Sequence, residues 1–113
     1  PSLYTGKDLT NDIKRAMDFD ADHLNSNFMT IGMVNSILKC SDAIMSYSYY
    51  IKHPVLFLLS GEDVVINCES SELFMSGIEK DLVNSLKYSD AKHDLFNETC
   101  RRQVFEEIVE YLE

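Results

Sequence analysis

Among the side chains able to do chemistry in this sequence, one carboxylate and one imidazole stand out by their settings. Asp63 closes the stretch HPVLFLLSGED, and His93 sits in the middle of SDAKHDLFNE. An imidazole titrates near neutrality and moves protons, but it needs a partner that fixes which ring nitrogen carries the proton. A carboxylate accepting one ring N–H does this, and it also stabilises the imidazolium formed when the other nitrogen takes a proton. Acid and histidine are thirty residues apart in the chain, so only the fold can bring them together. Glu62, one residue earlier, is the alternative acid.

The surrounding elements supply the means. After His53-Pro54, VLFLLS is a continuous apolar run without alternation, the pattern of a strand covered on both faces in a parallel sheet. Gly61 ends it, and a loop through EDVVIN leads to Ser70-Ser71, which would cap a short helix over ELFMSGI. LVNSLKYS reads as a second strand of mixed character, suited to an edge. From Arg101 to Leu112, the residues Val104, Phe105, Ile108, Val109 and Leu112 mark one apolar helical face, with Glu106, Glu107 and Glu110 outside it. Strand, helix, strand, helix predicts an α/β fold with a short parallel sheet (βαβα). In such sheets chemistry collects beyond the carboxyl ends of the strands. Glu62 and Asp63 leave one of those ends, and Asp90, His93 and Asp94 leave the other, so neighbouring strands would bring Asp63 to His93. The first half reads as helical. Thr10 or Asn11 would cap a helix through Ile13, Met17 and Phe19, and the stripe Phe28, Ile31, Val34, Ile37, Leu38 and Ile44 predicts a second one, whose end the β-formers of SYSYY leave open.

Composition narrows the function. At 113 residues the chain has room for one core, and 45% apolar with 26% charged residues is a globular composition. A net charge of −9 argues against a nucleic-acid partner or a general affinity for anionic membranes, since both need a basic face. The longest apolar run, Val55 to Leu59, is too short to span a bilayer, and the sequence does not open on a secretion signal. Cys40, Cys68 and Cys100 are odd in number and lack CxxC spacing, which suits reduced thiols in a cytoplasmic setting. The alternating Asp18, Asp20 and Asp22 lack the glycine and glutamate that a Ca²⁺ loop needs, so neither metal nor cofactor is expected. His23 and His53 read as ordinary polar residues.

Three stretches together resemble the α/β-hydrolase family, in its monoacylglycerol lipase and lysophospholipase-like branch of serine hydrolases with a helical lid. HPVLFLLSGEDVVIN is similar to the strand that precedes the triad acid. SDAKHDLFNE resembles the triad-histidine loop, and LTNDIKRAMDFDADHL resembles the segment leading into the lid. The resemblance covers roughly residues 8 to 112. It implies a helical lid or cap segment over residues 1–50, and the C-terminal βαβα part of an α/β-hydrolase core over residues 51–113. It also implies His93 and Asp63 as catalytic residues, and Phe28, Met29, Ile31 and Met33 as lid residues over an acyl pocket. A lipid ester, monoacylglycerol or lysophospholipid, would be the substrate, with peripheral membrane contact through the lid.

The sequence departs from that pattern in places. Only one residue separates Gly61 from Asp63 where two are usual, Asp22-His23 stands where Asp-Pro is usual, and no GxSxG nucleophile elbow or HG-type oxyanion loop occurs. Without a nucleophile, the acid and histidine have nothing to activate. The expectation is therefore a C-terminal segment of a lipid-ester hydrolase, inactive by itself, whose N-terminal half is elsewhere. A two-strand piece leaves an open edge, so pairing with that half or with a second copy is expected. The alternative is a non-catalytic α/β-hydrolase-like module that binds a partner or lipid.

Overall fold

The apolar hexad after Pro54 forms strand β1 (Val55–Ser60), and it pairs in parallel with β2 (Val83–Tyr88), in the register Val55↔Val83 through Ser60↔Tyr88. A computed structural model of the protein describes residues 4–26 and 28–113. The helices in chain order are α1 (Gly6–Leu9), α2 (Ile13–Ala21), α3 (Ile31–Met45), α4 (Cys68–Ser76) and α5 (Arg101–Leu112). Short 3₁₀ turns occupy Ser48–Tyr50, Lys80–Leu82 and Leu95–Asn97. The C-terminal βαβα order expected from the sequence is present, as an α/β portion with a short parallel sheet.

Local chemistry differs from the expectation at two helix starts. α2 is capped by Asp12, whose Oδ1 accepts from the Arg15 N–H at 3.1 Å. Thr10 and Asn11 are spent elsewhere: the Thr10 hydroxyl donates to the Asn97 carbonyl, and the Asn11 side chain donates to the Asp90 carbonyl and to Glu98. α4 starts before Ser70-Ser71, because the Asn67 side chain accepts from the Ser70 N–H and caps the helix at its N-terminus. The SYSYY stretch resolves into a 3₁₀ turn with Ser48 buried.

The buried apolar side chains among the described residues are Ala16, Ile78, Ala91 and Val104. Large apolar groups elsewhere face solvent. The α3 stripe buries none of its residues, and Ile31 is 90% exposed. β1 is half-buried along Val55–Leu59 instead of covered on both faces, and among the described residues it pairs with β2 alone. Among the described residues, no helix is long and apolar enough to cross a membrane.

Candidate active site

Both site loops begin where β1 and β2 end. The Gly61 N–H donates to the Tyr88 carbonyl at 2.8 Å, and the Glu62 N–H to the Ala91 carbonyl at 2.9 Å, so the chain just past β1 is tied to the chain just past β2. Asp63 then turns on itself. Its Oδ1 accepts from the N–H groups of Val65 and Ile66 at 2.8 and 2.9 Å, an Asx-type turn that fixes the carboxylate plane. The remaining oxygen, Oδ2, lies 2.9 Å from Nδ1 of His93.

That geometry places a proton on Nδ1 of His93. Burial works against charge on Asp63, but the Ile66 N–H, the His93 ring and the Val65 N–H outweigh it, and the carboxyl is held below its usual range. An ionised carboxylate only accepts hydrogen bonds, so Nδ1 carries a proton, and in the neutral ring the lone pair is left on Nε2. The Asp63 side chain is 10% exposed and the His93 side chain 37% exposed. Acid inside, base facing out, is the order a proton-transfer pair requires. The imidazole opens onto a cavity of about 340 Å³ lined by Leu58, Leu59, Ser60, Asp63, Ile66, Ser71 and Phe96 among others.

Glu62, the alternative acid, is exposed and its backbone alone is engaged in the pairing of the two loops. Phe28, Met29, Ile31 and Met33 are exposed at 75, 39, 90 and 54%, and the cavity beside His93 is lined by other residues. The groove next to it, about 770 Å³, is lined from α3 by Ser41, Asp42, Ile44 and Met45 at the other end of that helix, together with β1 and α4. The three alternating acids are used separately: Asp18 pairs with Lys14, Asp20 accepts from the Gly6 N–H, and Asp22 accepts from the Leu24 N–H. No cluster of three or more His, Cys, Asp or Glu able to hold a metal occurs among the described residues.

The family model for serine aminopeptidase, S33, within the α/β-hydrolases, matches residues 2–100. The chain belongs to this α/β-hydrolase family. No curated protein matches it. The match spans both strands, both site loops and the helical N-terminal half, so the α/β-hydrolase assignment covers the acid and the histidine in one continuous stretch. Within this α/β-hydrolase segment, no serine hydroxyl is hydrogen-bonded to His93 among the described residues. The Ser60 hydroxyl, in the lining of the same cavity, donates to the Lys92 carbonyl at 2.6 Å.

One residue at this site escaped the sequence reading. Glu98 is 1% exposed, the most buried charged side chain among the described residues, and its two oxygens accept from Asn11, Lys92 and Thr99. The only signal for it was the Asn-Glu that ends the histidine-loop pattern; nothing local says that such a glutamate is buried.

Proposed function

We propose that this chain carries the acid–histidine half of a serine hydrolase that cleaves lipid esters, with monoacylglycerols or lysophospholipids as the substrate class. The observation that carries the reading is the 2.9 Å contact between His93 Nδ1 and Asp63 Oδ2 beyond the ends of two adjacent parallel strands. In the reaction, Nε2 of His93 takes the proton of a serine hydroxyl as that oxygen attacks the ester carbonyl. Asp63 stabilises the resulting imidazolium, which then returns the proton to the departing alcohol. Water repeats the cycle on the acyl-enzyme and releases the fatty acid. The serine and the oxyanion donors lie outside these residues, since no GxSxG is present.

The lipid side of the proposal is supported by the apolar character of the segment leading to the site. Phe28, Met29, Ile31 and Met33 form an exposed apolar end on α3 and its approach, a surface suited to an acyl chain or a bilayer interface. The division into a lid segment over residues 1–50 and a core segment over residues 51–113 belongs to the same proposal. The family description names an aminopeptidase, and the same pair would serve amide cleavage equally well. The discriminating experiment joins this chain to a GxSxG-bearing N-terminal half of an α/β-hydrolase and compares a long-chain monoacylglycerol with an aminoacyl anilide. Ester turnover lost in His93→Ala is expected. Anilide turnover alone would replace lipid by peptide, and turnover that survives His93→Ala would remove the base. The non-catalytic module is the second reading, favoured by the missing elbow; inactivity on both substrates with a GxSxG partner supplied would establish it.

A further inference from the structure

The backbone on either side of His93 is bonded to other parts of the chain. On one side, the Lys92 N–H donates to Glu98 Oε1 at 3.1 Å, and the Lys92 carbonyl accepts from the buried Ser60 hydroxyl at 2.6 Å. On the other side, the Asp94 N–H donates to the Leu9 carbonyl at 2.9 Å. The same Glu98 Oε1 accepts from the Asn11 backbone N–H at 2.8 Å and from Asn11 Nδ2 at 3.0 Å. Its Oε2 accepts from the N–H of Thr99 at 2.7 Å. Residues 9–11 thus lie as a strap across the histidine loop, and one buried carboxylate joins strap to loop.

This carboxylate is ionised by design of its surroundings. Burial disfavours its charge, yet the backbone N–H groups of Thr99, Asn11 and Lys92 hold the carboxyl below its usual range. A buried charge so fully satisfied fixes position, because any other placement of the loop would strand it. Resting on the reading of His93 as the general base, we propose that Glu98 is a positioning residue: it locks the Lys92 peptide against the Asn11 strap and so sets the His93 ring where Nδ1 meets Asp63.

The experiment uses the ¹⁵N-labelled chain and reads the His93 ring by NMR, through the hydrogen-bonded Nδ1 proton and the nitrogen shifts that distinguish the two neutral tautomers. Glu98→Ala should abolish the Nδ1 proton signal and mix the tautomers. Glu98→Gln keeps an oxygen for Lys92 and Asn11 but turns its amide NH2 toward the Thr99 N–H, and should restore the signal in part. Val104→Ala, which opens the core at a fully buried residue, should lower stability and leave the His93 signal intact. If Glu98→Ala does not fold, Asn11→Ala decides, since it removes only an exposed side chain from the strap and should still weaken the signal. A folded Glu98→Ala with an unchanged ring overturns the proposal, as does an Asn11→Ala ring identical to wild type when Glu98→Ala is unfolded. Loss of the signal in Val104→Ala would also overturn it, by reducing Glu98 to general stability. Absence of lipid hydrolysis in the joined enzyme, with these ring effects present, would sink the proposed function and leave Glu98 in its role.

Discussion

Gly61 lies so close to Ser89 that a Cβ on the glycine would fall 2.2 Å from the serine carbonyl oxygen. No real side chain tolerates that distance from backbone, so the two strand ends can meet only where the first has no side chain. Because Asp63 and His93 leave from those ends, this contact is upstream of the site itself. Gly61→Ala must push the two loops apart. It should lower stability by about 2 kcal/mol, the usual cost of forced overpacking, and weaken the Asp63–His93 contact. A lower urea midpoint together with loss of the His93 Nδ1 proton signal is the expected result. An unchanged midpoint would mean that the loops shift freely.

Asp63→Asn tests the acid without removing its bulk. Oδ1 is held by the N–H groups of Val65 and Ile66, so the amide nitrogen of the variant must face the ring. An amide nitrogen donates, and Nδ1 then has to accept, which moves the ring proton to Nε2. That tautomer cannot take a proton from a hydroxyl at Nε2. In the joined enzyme kcat should fall on the order of 10⁴-fold, and in the chain alone the histidine nitrogen shifts should reverse. Glu62→Gln should change neither, given that its side chain is exposed and the His93 ring contacts Asp63 instead.

Much of this arrangement was legible in the sequence, for reasons that differ by element. The VLFLLS hexad, the α5 periodicity and the turn at Gly61 are local signals, and strand and helix formed where they pointed. The approach of Asp63 to His93 followed from topology, since parallel neighbours send both loops out of the same edge. The capping of α2 was misread because Thr10 and Asn11 bond to residues near 90 and 97, a long-range use that no capping rule sees. Glu98 was invisible as a buried group for the same reason. Its partners come from sequence separations of 87, 6 and 1, and only the fold gathers them. The α3 stripe carries the helical period faithfully, but period does not say what covers the face, and here nothing among the described residues buries it.

Acid should destabilise the fold through the two buried carboxyls. Asp63 and Glu98 both titrate below their usual range in the folded chain. A group depressed in this way stabilises the fold above its unfolded value, and that contribution is lost as pH falls through the folded one. In proton terms, the unfolded chain binds more protons in that window, so stability rises with pH there. The loss should begin near about pH 5 and deepen below about pH 4. Urea unfolding followed from pH 6 down to pH 3 (~ by the reference carboxyl values) measures the slope. Glu98→Gln, which has no carboxyl to protonate, should flatten it. A slope identical in the variant would assign the acid sensitivity to other groups.

Association is the last expected property. Among the described residues β1 pairs on one side only, so its other edge offers backbone N–H and C=O groups along a Val55–Leu59 run of apolar side chains. β2 is a poorer template, because Asn84, Ser85 and Lys87 place polar and charged groups along it. α3 adds exposed apolar surface at Ile31, Ile37 and Leu38. Two such chains gain more by covering these surfaces with each other than by leaving them wet. Light scattering on the 113-residue chain should therefore give a mass that rises with concentration above that of one chain. Adding a GxSxG-bearing N-terminal hydrolase half that pairs with the β1 edge should abolish this rise. A strictly monomeric mass at high concentration would show that the open edge is not an interface, and would also remove the physical argument for a missing neighbour on that side of the sheet.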